Sequence, residues 1–224
     1  MKSLIKIIKK NVGPIENNTF LIYDENKNCV IVDAPFECIK AMKPIIKEFE
    51  LKLTHILITH THFDHIGGLA ELKKEYPDAN ICVHKDDVFR MSEPNVNVGG
   101  MNFQIEITKP DTVLNGGEII KCGDILFNVL HTPGHSLGCV CFYNETEKTV
   151  FVGDTLFRTS IGRTDFQGGN YEALIASTKK ELWKLPDETD VYCGHRENTT
   201  IGFEKKNNPF FLKNQIYFFG ACFY

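Results

Sequence analysis

The chain of 224 residues lacks an excess of positive charge: 25 Lys and Arg stand against 29 Asp and Glu, a formal net charge of −4. No basic field is available to gather a polyanion, so nucleic acid is not an expected partner. Long hydrophobic runs are also missing. No stretch approaches the ~20 apolar residues of a membrane span, and a membrane partner is not expected. At the N-terminus, Lys6, Lys9 and Lys10 interrupt the apolar residues before a signal-peptide core can form. The cytosol is the expected compartment. Low-complexity segments and clear linkers are absent. Eight cysteines are present, but none forms a CxxC pair. In a reducing compartment they are expected as buried thiols, including Cys139 and Cys141, which alternate on one strand and share a face. The sequons "NNT", "NET" and "NTT" would go unused there.

What is present is an alternation of strands and helices. "SLIKIIK", "NTFLIYD" and "NCVIVDA" read as opening strands, and "FECIKAMKPIIKEFE" as a helix with a kink or break at Pro44. "THILITH" and "NICVH" are short apolar strands. They are separated by the helix "IGGLAELKKEYP" and followed by the short helix "KDDVFRM". Residues 92–117, rich in Asn, Gly and Pro, read as a long surface loop. A run of strands follows ("GEIIKC", "ILFNVLHT", "GCVCFY", "TVFVGD"), then the periodic helix "YEALIASTKKELWKL" and the last strand "DVYCGH".

Four of these apolar strands end in potential metal ligands. "HILITH" leads to His60, "FNVLHTPGH" to His135, "TVFVGD" to Asp154 and "DVYCGH" to His195. Side chains in turns after strands are where α/β proteins build sites. "THTHFDH" adds His62, Asp64 and His65 within one turn. Gly67 and Gly68 then let the chain enter the next helix. His55, His84 and His131 read as ordinary surface or core histidines. A single Asp or His of this kind is usually a turn or packing residue. The combination HxHxDH, GH, GD and GH, each after a strand, points to metal.

These motifs, "THTHFDHIGG", "HTPGHSLGCV", "GDTLF" and "YCGH" in this order, resemble the metallo-β-lactamase superfamily over residues 1–210. Residues 211–224 form an aromatic tail of unassigned role. The resemblance implies an α/β (α+β) four-layer αββα sandwich with metals at one edge of two packed sheets. Within the superfamily the chain is most similar to glyoxalase II-like hydrolases. "GRTDFQGGN" and "TTIGFEKKNNPF" resemble the short bacterial-type members, which lack the extra C-terminal helical domain. "GHREN" departs from the usual GHGP. The departure bears on that loop and the substrate rim, not on the ligand His195.

The resemblance implies that His60, His62 and His135 hold one metal, that Asp64, His65 and His195 hold a second, and that Asp154 bridges them. A nitrogen and oxygen donor set suits Zn²⁺, Fe²⁺ or Mn²⁺, with two zinc ions favoured. Asp33 is a candidate partner for a ligand histidine. Two metals ~3.5–4 Å apart would supply a hydroxide at neutral pH and polarise a carbonyl, so no serine nucleophile is needed. The expected reaction is hydrolysis of a small thioester of acyl-glutathione type. Asp64 and His195 are the candidate catalytic residues, and Arg163 and Lys205 candidate contacts for substrate carboxylates. "GRTDFQ" also resembles the persulfide dioxygenases. Such an enzyme would use one iron on His60, His135 and Asp154. A lactonase would use the same ligand set as the hydrolase.

Overall fold

A computed structural model describes residues 5–98 and 100–212. The first half forms a six-stranded sheet in the order β1-β2-β3-β4-β5-β8. Its strands are β1 (Ile5–Val12), β2 (Asn17–Asp24), β3 (Asn28–Val32), β4 (Lys52–Leu57), β5 (Asn80–His84) and β8 (Thr112–Leu114). The second half forms another six-stranded sheet from β9 (Ile119–Cys122), β10 (Ile125–His131), β11 (Val140–Asn144), β12 (Thr149–Gly153), β15 (Asp190–Cys193) and β16 (Thr199–Thr200), in the order β16-β15-β12-β11-β10-β9, with the small hairpin of β13 (Leu156–Phe157) and β14 (Ser160–Ile161) between β12 and β15 in the chain.

Alternation along β2 and β3 explains how the layers assemble. Phe20, Ile22, Val30 and Val32 face one way and meet Phe127, Val129, Phe142 and Phe151 of the other sheet. Leu21, Cys29 and Ile31 face the other way and pack against Cys38, Met42 and Ile46 of helix α1 (Cys38–Glu48) and Leu69 and Leu72 of α3 (Leu69–Glu75). A strand buried on both faces reads as a continuous apolar run, as "NTFLIYD" does. On the far side, Val150, Val152 and Val191 pack with Leu182 and Leu185, just after α4 (Tyr171–Glu181). The result is the four-layer αββα sandwich. Among the described residues no helix is long and apolar enough to cross a membrane.

Two local expectations need correction, and one helix has no counterpart among the expected elements. Helix α1 runs through Pro44 without a break. Pro44 lies on the exposed face, opposite buried Cys38, Met42 and Ile46. The carbonyl freed at exposed Lys40 can turn to water while the inner face stays packed. Residues 92–117 are not one loop. They contain the hairpin β6 (Asn95–Val98) and β7 (Met101–Gln104), and also β8, which pairs parallel with β5. Phe103 anchors the hairpin on Phe36 and Phe63, with centroids 6.0 and 4.5 Å away. "TTIGFEKKNNPF" carries an unanticipated helix, α5 (Ile201–Asn207), whose N-cap Thr200 accepts from the Phe203 amide. All seven described cysteines are buried free thiols. Cys222 and the tail from residue 213 lie outside the described residues.

Candidate metal centre

Strand direction brings the candidate ligands together. β11 is antiparallel to β10 and β12, and β15 is parallel to β12, so β10, β12 and β15 point the same way. Beyond their C-terminal ends lie His135, Asp154 and His195. From the other sheet, the segment after β4 carries His60 and His62, and the single turn α2 (Phe63–Ile66) presents Asp64 and His65. The sheets are stitched at this edge. The Val140 amide donates to Thr59 O at 2.9 Å and the Asn18 amide to Gly194 O at 2.7 Å.

Two donor triads result, with a third grouping of His60, His65 and Asp154 spanning them. His60 Nε2 and His62 Nδ1 lie 3.2 and 2.8 Å from His135 Nε2. His195 Nε2 and His65 Nε2 lie 3.2 and 3.7 Å from Asp64 Oδ2. Asp154 stands between them. Its Oδ1 is 3.4 Å from His65 Nε2, and its Oδ2 is 3.6 Å from both His135 Nε2 and His195 Nε2. These separations bracket the ~3.3 Å donor–donor edge of a tetrahedral ion with bonds of ~2.0–2.1 Å. His65 Nε2 and Asp154 Oδ1 are buried and have no hydrogen-bond partner. An orphaned buried polar atom costs about 1–3 kcal/mol, a cost that ligation removes. The residues therefore fit divalent metal.

Neighbouring groups decide which ring nitrogen faces inward. His135 Nδ1–H donates to the Arg163 carbonyl at 2.7 Å, leaving the Nε2 lone pair for an ion. His65 Nδ1–H donates to Asp33 Oδ2 at 2.9 Å. Asp33 also accepts from the Thr59 amide and hydroxyl, both at 2.8 Å. With its proton on Asp33, the Thr59 hydroxyl is left to accept from His60 Nδ1–H at 3.2 Å. One carboxylate thus orients two ligands. Gly194 is required by close approach: a Cβ there would sit 2.3 Å from Asp154 Oδ1 and 2.8 Å from His65 Cε1.

Burial lowers His60 well below its ordinary pKa, takes His62 down to about 3 and also lowers His135. Burial acts on His65 in the same direction. There Asp154, Asp33 and Asp64 outweigh it and raise the pKa well above normal. His195 is likewise raised, its burial outweighed mainly by Asp154 and the hydrogen bond to Asp64. Asp64, although buried, is held at about 2, chiefly by His65 and His195. Asp154 lies below the usual carboxylate range: burial opposes ionisation, but the cationic forms of His195 and His65 prevail.

Comparison with known proteins decides the family. The model of the metallo-beta-lactamase superfamily matches residues 12–195. The chain belongs to that superfamily. It is 37% identical over 203 residues to the hydroxyacylglutathione hydrolase GloC of Haemophilus influenzae, covering 89% of this chain and 94% of the relative. Among solved structures, the B3 metallo-beta-lactamase BLEG-1 superposes with a TM-score of 0.86 at 34% identity, covering 92% of this chain and 99% of that one. TTHA1623, solved in a di-iron-bound form, superposes with a TM-score of 0.81 at 35% identity, covering 91% and 99%. Family and donor clusters together make the chain a metal-dependent hydrolase of the metallo-beta-lactamase superfamily.

Of the two candidate substrate contacts, only Arg163 lies at this metallo-beta-lactamase-type centre. Its guanidinium stacks on Phe166 at 4.3 Å and pairs with Asp165, while the Phe166 ring abuts His62 at 5.3 Å. Lys205 is on α5, where its Nζ donates to Asp187 at 2.7 Å and to Leu185 O. Asp187 precedes β15, at the end of that strand away from His195. Asn17, which stands out in the sequence only as the first residue of the sequon "NNT", is buried and donates from Nδ2 to Asp64 Oδ2 at 3.0 Å. Its sequence signal is weak, since it is one of two adjacent amides that open β2 ahead of the apolar run Phe20–Tyr23. His84, Asp86 and His131 also bring potential donor atoms within 4.8 Å of one another. The two rings stack face to face, 4.1 Å apart and 19° from parallel. In-plane lone pairs on stacked rings do not converge on one ion, so this pair packs rather than chelates.

Proposed function

We propose that the chain hydrolyses a small thioester of acyl-glutathione type, using two divalent ions for which zinc is the favoured identity. His60, His62 and His135 would hold the first ion and Asp64, His65 and His195 the second, with Asp154 shared. The observation that carries this reading is the pair of triads facing one another across Asp154, with buried His65 Nε2 and Asp154 Oδ1 unpartnered. When bound, the ions would supply a water ionised at neutral pH and a Lewis acid for the carbonyl. The chain's own residues prepare the place. Asp33 and the Arg163 carbonyl fix ring tautomers, and Asn17 holds the Asp64 carboxylate. Phe166 walls the side of His62, and the Arg163 guanidinium above it suits a carboxylate on the substrate. Hydrolysis consumes one water and breaks the C–S bond. A thiolate leaves without a general acid. The likeness of GloC, named a hydroxyacylglutathione hydrolase, supports this substrate class.

The likeness to BLEG-1 favours a second reading, opening of a β-lactam amide. An amine leaving group needs a proton far more than a thiolate does, so the thioester is preferred here. The test is kcat/KM of the zinc-loaded protein on S-lactoylglutathione and on a chromogenic β-lactam. The thioester should be the better substrate by at least about a hundredfold. The reverse order would overturn the proposal.

A further inference from the structure

One buried carboxylate outside the ligand set ties together the loops around the first triad. Asp87 lies in the 3-10 helix Lys85–Ser92 after β5 and is fully buried. Its Oδ2 accepts from the Thr61 amide at 3.1 Å and from Ser136 Oγ at 2.7 Å. Its Oδ1 accepts from the Gly138 amide at 2.8 Å and from Arg90 Nη1 at 2.9 Å. Its backbone carbonyl accepts from Thr61 Oγ1 at 2.7 Å. Thr61 stands between His60 and His62, and Ser136 follows His135. Each anchor therefore flanks a ligand of the first triad. Arg90 passes the linkage on, donating Nη2 to Gln167 O at 2.5 Å, in the loop that carries Arg163 and Phe166. Gly138 makes the approach possible: a Cβ there would meet the Asp87 side chain at 2.7–2.8 Å.

The hydrogen bonds found for the Asp87 side chain include none to Asp64, His65 or His195. The Asp64 carboxylate is held by Asn17 and the His65 ring by Asp33. We propose that Asp87 is a positioning residue of the first-metal triad, setting the spacing of His60, His62 and His135 through the backbone beside them. Its four side-chain acceptor contacts span three segments far apart in sequence. No single one of those segments could hold the triad's geometry alone. A carboxylate whose acceptor sites are filled by two amides, a hydroxyl and a guanidinium is also satisfied without touching an ion, which separates Asp87 from the ligands it serves.

This inference rests on the two-ion reading, and the experiment separates the two. Single-site proteins are made by His195→Ala, which leaves the first triad, and by His62→Ala, which leaves the second. Asp87→Asn is placed in each, and Zn²⁺ affinity is measured by competition with a chromophoric chelator. In the His195→Ala background, Asp87→Asn should weaken Zn²⁺ tenfold to a hundredfold, the range for partners that orient ligands. In the His62→Ala background affinity should stay within twofold. Equal weakening in both backgrounds, or none in either, would overturn the assignment. Should Asp87→Asn fail to fold, Ser136→Ala decides. Weakening of about fivefold at the first site alone supports the inference, and no change overturns it. An unsubstituted protein that takes up no Zn²⁺ would overturn the two-ion reading and this inference with it.

Discussion

The two triads sit at one sheet edge, share Asp154 and use similar donors, yet their electrostatics are opposite. The first consists of three histidines, and burial keeps them neutral: His60 lies well below its ordinary pKa and His62 falls to about 3. The second is set among Asp33, Asp64 and Asp154. There the carboxylates outweigh burial, and His65 and His195 are raised. An ion entering the first triad meets ready lone pairs. An ion entering the second must expel protons, but it gains two anionic ligands. The carboxylates in and beside each triad therefore set how its position responds to pH.

The largest expected effect removes what the triads share. Asp154→Ala should lower metal content at both positions, from close to two ions per chain to below one by elemental analysis. Near-normal loading would break the pairing of the two triads.

Next comes a substitution that touches the second triad alone. His195→Ala should reduce thioester kcat/KM at least a hundredfold, on the order of 3 kcal/mol of transition-state stabilisation. In an oxygen electrode, iron-loaded protein given glutathione persulfide should take up no O₂. Rapid uptake that survives His195→Ala would assign the chemistry to one iron on His60, His135 and Asp154, making the enzyme a dioxygenase.

A pH titration sharpens the contrast with a smaller effect. Because the pKa values of His65 and His195 are raised in the metal-free protein, protons compete at the second triad from above pH 6.5 downward. Second-ion affinity should fall up to about tenfold per pH unit for each proton expelled. The first-triad pKa values are lowered, so between pH 7.5 and 6 its affinity should hold. Isothermal titration in two buffers of different ionisation enthalpy counts the released protons. Equal release at both steps would remove the distinction.

The smallest effects lie at the rim. Arg163→Ala should raise KM for a carboxylate-bearing thioester several-fold with little change in kcat. Lys205→Ala should leave both within twofold, since its surface pair with Asp187 contributes ~0–1 kcal/mol. A KM change confined to Lys205→Ala would reverse these assignments.

Much of this was legible because it is local. The apolar strands, the ligands that end them and the run from His60 to His65 lie within short windows, where residue type and spacing carry the signal. The corrections fall where the signal is weak. Strands β6 and β7 are only four residues long and mix Asn and Gln with Val, Met and Phe, and only the packing of Val96 and Phe103 against the core shows their inner face. Pro44 reads as a breaker unless its solvent-facing position is known.

By itself, then, the sequence determined the element types and donor chemistry. Alternation of apolar residues specifies strands buried on two faces, and His and Asp after strand ends specify ligands. Only the tertiary structure decided which polar residues support them. Asp33 reaches Thr59 and His65 across 26 and 32 residues, Asn17 reaches Asp64 across 47, and Asp87 reaches Ser136 and Gly138 across 49 and 51. An Asp or Asn in a one-dimensional chain looks like any other turn or strand residue. Its role is set by the partners that folding brings to it, through strands of one sheet for Asp33 and Asn17 and through the stacking of the two sheets for Asp87, and no local spacing encodes either.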